Sequence, residues 1–212
     1  MKKLENLRLM ELLSSKICHD LISPVNAVRN GLEFLEPKEI DLFQTSLKLV
    51  QTSAHQALER LSFFRLMLGA GSDIDHFNWD EVYEALKSYL NNRQISLESS
   101  VASPNYDMEL PRHTAKALMF GVLVMSDCLP RGGMIQLSSA NWINLEGTRI
   151  FARGDRCKLR QDVKSGLDIH IDQADLTVRN VIAHMAVIFF DHVGKTLKLR
   201  DISETEMELI SI

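Results

Sequence analysis

No apolar run in this 212-residue chain is long enough to cross a bilayer; the longest, Ala117 to Met125, falls far short of the ~18 residues a spanning helix needs. Basic charge is in no excess. Lys and Arg number 24 against 28 Asp and Glu, the net charge is −4, and no basic stripe interleaved with aromatics offers a nucleic-acid surface. "MKKLENLRLMELLSSK" has lysines, but charges interrupt its apolar residues, unlike a secretory signal. Cysteine is scarce: Cys18, Cys128 and Cys157 are odd in number and lack C-x-x-C spacing, and they read as small buried hydrophobes in a reducing cytoplasm. His76, His113, His170, His184 and His192 share no metal-ligand spacing, so no metal site is expected. Repeats and low-complexity tracts are also missing. A cytoplasmic protein with neither a membrane nor a nucleic-acid partner is expected, large enough for one or two domains with a real core.

What is present divides into two halves. Leu7, Met10, Leu13, Ile17, Leu21, Val25, Val28, Leu32 and Leu35 recur at steps of three and four, a helical stripe. "EPKE" (36–39) interrupts it. A second stripe runs through Ile40, Phe43, Leu47, Val50, Ala54, Ala57, Leu61, Phe64 and Leu68 until "GAGSD" (69–73) stops it. Two long helices joined by a short turn make an antiparallel hairpin over residues 1–70. One hairpin cannot cover both stripes, whereas two can form a four-helix bundle, so a homodimer is expected.

Residues 76–212 change character. "DEVYEALKSYLNN", "PRHTAKALMFGVLVMSDCL" and "DLTVRNVIAHMAVIFFDHVG" read as helices. "QISLESSV", "MIQLSSA", "TRIFA", "TLKLRDI" and "EMELISI" alternate or are β-rich and read as strands. Helices beside an antiparallel or mixed sheet give an α/β sandwich, and the whole chain is assigned to the α+β class.

One stretch breaks the helical rules. "SSKICHDLISPVNAV" (14–28) places Pro24 inside the first helix, where it removes a backbone donor and clashes with the carbonyl of Asp20. His19 lies two positions from both Ile17 and Leu21, so it points away from the buried stripe. Its helical neighbours are Ser15, Lys16, Ile22, Ser23 and Asn26. A neutral imidazole is a competent nucleophile at cytoplasmic pH; Asp20 could hold its tautomer, and Lys16 could neutralise an arriving phosphoryl group. From these residues alone a kinked structural helix accounts for the pattern equally well.

"HDLISP" resembles the H-box of histidine kinases. More closely, "CHDLISPV" together with "RLSFFRLMLG" (60–69) is similar to the ChpT family of histidine phosphotransferases from bacterial cell-cycle phosphorelays. "LPRGGMIQL", "FARGDRCKL" and "LTVRNVIAHMAVIFFDHVGKTLKL" agree more loosely. The resemblance implies a dimeric four-helix bundle followed by a degenerate domain shaped like the ATP-binding lobe of a histidine kinase. It also implies that His19, with Asp20 and Lys16 beside it, accepts a phosphoryl group from the receiver domain of a hybrid sensor kinase and passes it to response regulators. A docking receiver would meet Cys18, Ile22, Ser23 and Asn26. His55 is expected opposite, since it and His19 both lie about eighteen residues from the turn. Ile22 could instead pack against the second helix.

The nucleotide chemistry of a kinase is missing. "MFGVLVMSDCLPRGG" contains no asparagine, and Asp127 is its only carboxylate, a weak magnesium site. No D-x-G-x-G occurs, "GAG" at 69–71 lacks a strand-to-helix context, and "RGG" at 131–133 reads as a turn. A phosphotransferase binding neither ATP nor metal is therefore expected, with Mg²⁺ supplied by the partner receiver. The alternatives are an autophosphorylating ATP-dependent kinase and a non-catalytic interaction protein of the same fold.

Overall fold

The computed structural model describes residues 2–35, 40–69, 75–100 and 108–212. The expected turn at 36–39 and most of the glycine stop (70–73) lie outside the described residues. Helices α1 (Lys2–Glu33) and α2 (Ile40–Leu68) form the hairpin. Its register is set by Gly31. A Cβ there would come within 2.7 Å of Val50 Cγ2 and 3.3 Å of the Ser46 carbonyl, so only glycine lets the two helices approach at that level. In the single chain the stripes are only partly covered: Leu13, Ile17, Leu21 and Val28 are half-buried, while Leu7, Met10, Val25 and Leu32 are exposed.

The rest runs β1 (His76–Asn78), α3 (Trp79–Asn91), β2 (Ile95–Ser99), β3 (Glu109–Pro111), α4 (Arg112–Ser126), β4 (Gly133–Ser138), β5 (Arg149–Arg153), α5 (Gln161–Ser165), α6 (Val181–His192), β6 (Leu197–Asp201) and β7 (Glu206–Ser211), with a 3₁₀ turn at Gln173–Asp175. The five-stranded sheet has the order β2-β4-β5-β7-β6. It is mixed. β2 and β4 are parallel, joined through the α4 crossover, and every other pair is antiparallel. One face carries Ile135, Leu137, Ile150, Ala152, Met207 and Leu209, all buried. The other carries ion pairs such as Arg149 with Glu208 at 2.6 Å. This alternation is what a sheet covered on one side requires. Gly121 of α4 brings that helix onto the sheet, since a Cβ would stand 2.7 Å from Ile150 Cδ1 and 3.3 Å from Phe190.

The strands fall where the alternation places them, but three local features depart from the sequence reading. The last long helix starts at Val181 rather than near Asp175, because the Asn180 side chain accepts the Thr177 amide at 2.7 Å and donates to the Asp175 carbonyl at 3.0 Å. Those bonds hold the preceding backbone in a turn. The short ladder between β1 and β3 and the single-turn α5 were too brief to show a period. Cys18 is exposed, unlike the buried Cys128 and Cys157.

The hairpin is not separate from the sheet unit. Phe63, Phe64 and Met67 at the foot of α2 are 1%, 5% and 0% exposed and share one core with α3 and α4. Phe63 stacks on Tyr89 of α3 with ring centroids 4.3 Å apart.

Candidate functional site

Pro24 is buried in a helix that continues through it. Having no N–H, it leaves the Asp20 carbonyl without its usual partner four residues on. Arg60 of α2 fills the vacancy, its Nη1 donating to Asp20 O. The bond lost at Pro24 thus leaves an acceptor that α2 uses to grip α1 one residue after His19. The Asp20 carboxylate is gripped as well, by Lys16 Nζ at 2.9 Å, with both side chains half-buried. Main chain and side chain of Asp20 are fixed from two directions.

His19 then projects into solvent, 79% exposed, with Nδ1 3.3 Å from Asp20 Oδ1. A ring donating Nδ1–H to that carboxylate leaves the Nε2 lone pair facing outward. Behind Asp20 lies a polar cleft of about 140 Å³ lined by Lys16, Asp20, Arg60, Tyr89, Arg93 and Asp127. Arg93 bonds Asp127 Oδ1 at 2.9 Å and Ser126 Oγ at 2.6 Å. Burial pushes the Tyr89 phenol up to about 12, and the charge of Asp20 adds to that. The phenol stays protonated at any ordinary pH. Three cations against two carboxylates leave the cleft with a net positive charge.

Sequence reasoning brought Lys16, His19 and Asp20 together. It missed Arg60, Tyr89 and Arg93 as neighbours of that site and weighed Asp127 only as a magnesium ligand. Arg60 opens the "RLSFFRLMLG" segment, so its position was visible while its partner was not. Cys18, Ile22, Ser23 and Asn26 are all exposed on α1 around His19, Ile22 by 59%. In the single chain Ile22 is therefore not packed against α2. His55 is misplaced by the symmetric-turn expectation. Gly31 faces Ser46 and Val50, so His19 is level with roughly residues 58–62, and His55 lies about a turn or more away along α2. It pairs with Glu59 at 3.4 Å and lines the groove toward α3. Burial pushes the Glu59 carboxyl up, but the Ser88 hydroxyl, the Asn92 amide and His55 together hold it below its ordinary value.

One double-mutant cycle tests the Pro24–Arg60 relation. Arg60→Met is expected to cost about 1.5–3 kcal/mol, the range for losing a charged hydrogen bond to a sheltered acceptor. In a Pro24→Ala background the new amide can satisfy Asp20, and the same substitution should cost less than half as much by urea unfolding. Equal costs in both backgrounds would sink the relation.

The sequence model of the histidine phosphotransferase C-terminal domain matches residues 79–205. The match begins at α3, so it takes in Tyr89, Arg93 and Asp127 and leaves out the hairpin. The protein phosphotransferase ChpT of Brucella abortus (strain 2308) is 33% identical over 151 residues, 68% of this chain and 64% of that protein, so the aligned region spans a little under two thirds of that relative's length. Among solved structures, a bacterial phosphotransferase superposes with a TM-score of 0.79 at 22% identity, covering 97% of this chain and 96% of the other. That similarity is one of fold.

Proposed function

The chain belongs to the ChpT-type family of histidine phosphotransferases, and we propose that it carries phosphoryl groups on His19 between receiver domains of a multistep phosphorelay. The observation that supports this is the exposed imidazole whose Nδ1 faces the carboxylate of an aspartate anchored by Lys16 through its side chain and by Arg60 through its main chain. In the proposed transfer, Nε2 of His19 attacks the phosphorus of a receiver's aspartyl phosphate. The N–P bond forms as the aspartyl O–P bond breaks, returning a carboxylate to the receiver. Asp20 stabilises the imidazolium that develops, and Lys16 keeps Asp20 ionised and oriented. The second transfer reverses the steps toward another receiver. The donor is a hybrid sensor kinase and the acceptors are response regulators. Mg²⁺ for the exchange belongs to the receiver's acidic pocket.

A kinase reading has less support. From Thr114 to Ser126 every residue of α4 is buried, and Asp127 at its end is already paired with Arg93. Incubation with a radiolabelled phospho-receiver tests the carrier reading. Label should move to this chain as an acid-labile, alkali-stable phosphoramidate and onward to a second receiver. Labelling from ATP alone would overturn it in favour of the kinase.

The hairpin also supports a homodimer in this reading. Met10, Val25 and Leu32 on α1 and Leu49, Leu58 and Leu61 on α2 are each at least 43% exposed, more apolar surface than a lone hairpin keeps in water. Light scattering should give twice the chain mass; a monomer at micromolar concentration would contradict the bundle.

Receiver docking gives a separate expectation. Ile22, one turn from His19 and exposed, suits the centre of a small transient contact. Ile22→Glu should leave the melting temperature nearly unchanged and slow transfer at least about tenfold, or ~1.4 kcal/mol. Normal transfer by the folded mutant would move the docking surface elsewhere.

A further inference from the structure

Cys128 and Cys157 are separated by 29 residues, and nothing in their spacing suggests a pair. The fold brings them together. Cys128 follows α4, Cys157 follows β5, and the Lys158 amide donates to the Cys128 carbonyl at 3.0 Å, tying the two segments by their main chains. The sulfurs are 3.1 Å apart and the side chains 0% and 3% exposed. The Cys128 sulfur also lies 2.8 Å from the Met125 carbonyl, a second acceptor for its single S–H. Only about 1 Å of further approach separates this contact from a bond.

The two sulfurs are not equivalent. Cys157 lines an open cavity of about 570 Å³, and Cys128 does not. Arg131, Arg156 and Lys158 around that cavity form no ion pair among the described residues, whereas Lys164 is held by Asp201 at 2.7 Å. The hydrogen bond from Cys128 lowers the Cys157 thiol despite burial, and the same bond raises Cys128, with burial adding to it. A thiolate at Cys157 would open onto this cavity, whose lining mixes Arg131, Arg156, Lys158 and Lys164 with Asp155, Asp201 and Glu204; the Cys128 hydrogen bond favours it and the Asp201 and Glu206 charges oppose it.

We propose that Cys128 and Cys157 are a peroxide-oxidisable dithiol, with Cys157 the attacking sulfur and Cys128 the resolving one. The Cys157 thiolate attacks one oxygen of hydrogen peroxide. The O–O bond breaks, and hydroxide leaves as water after taking a proton, giving a sulfenic acid. The Cys128 sulfur then attacks the Cys157 sulfur, the S–O bond breaks, and the hydroxyl leaves as water with the Cys128 proton. Two thiols lose two electrons, and one peroxide becomes two waters. The resulting bond would staple the loop after β5 to the end of α4, beside the Asp127–Arg93 pair.

Peptide mapping of the full-length protein after hydrogen peroxide, without reductant, tests this. Of the three thiols, two should be lost as one cross-linked peptide pair, two hydrogen masses lighter than its reduced halves and restored by dithiothreitol. Cys128→Ala should stop at a Cys157 sulfenic acid captured by dimedone. If that variant fails to fold, the wild-type map decides alone. Cys128 and Cys157 both still alkylatable after denaturation, under peroxide that has consumed Cys18, would overturn the proposal. Cross-links confined to Cys18 of two chains would overturn it equally.

Discussion

His19→Ala is expected to accept no phosphoryl group from any receiver, a loss of at least about a thousandfold, because no other nucleophile stands at the same point. The fold should be indifferent to the change. The side chain is 79% exposed, and substitutions at such positions typically stay within about 0.5 kcal/mol. Its polar contact, Nδ1 to Asp20 Oδ1 at 3.3 Å, is redundant for Asp20, which Lys16 and Arg60 still hold. Circular dichroism, mass in solution and melting temperature should therefore match the wild type, so that loss of label cannot be assigned to unfolding. Asp20→Asn separates nucleophile from support. It keeps the imidazole but removes the charge that stabilises the imidazolium, and should slow transfer without abolishing it. Label retained on His19→Ala would refute the assignment, and a full-rate Asp20→Asn would remove Asp20 from the mechanism.

The sequence made legible whatever depends on period and local chemistry. Three-and-four spacing placed α1 and α2, alternation placed the strands, and the offset of His19 from Ile17 and Leu21 placed the imidazole on an exposed face. Lys16 and Asp20 were found because both lie within one helical turn of His19; their pairing with each other was not. What escaped depends on two segments meeting. Arg60 meets Asp20 in the register that sets Gly31 against Ser46 and Val50; counting symmetrically from the turn put His55 there instead. Tyr89, Arg93 and Asp127 arrive from α3 and α4, and no spacing rule along the chain relates them to residue 20. Cys128 and Cys157 were passed over for the same reason.

The largest stability effect is expected where the hairpin joins the sheet unit. Phe63 is 1% exposed, stacked on Tyr89 at 4.3 Å and edge-on to Phe64 at 5.8 Å, so Phe63→Ala removes a buried ring from a shared core and should cost about 3–5 kcal/mol. For a chain of this size that lowers the melting temperature by roughly 10 °C. Phe63→Leu keeps most of the volume and should cost about 1–1.5 kcal/mol. Function follows from the same contact. Tyr89 forms one wall of the cleft behind Asp20, and the stack with Phe63 fixes where α3 meets α2. A loosened stack leaves His19 untouched but lets the Arg93–Asp127 side of the cleft drift from Asp20. Phe63→Leu should therefore carry phosphate yet transfer it several-fold more slowly at a temperature where it is fully folded. Calorimetry and transfer kinetics on the same preparations decide the matter. A cost below about 1 kcal/mol for Phe63→Ala would mean that the foot of α2 is not cemented into the core. A normal transfer rate in folded Phe63→Leu would mean that the junction holds the fold and not the site.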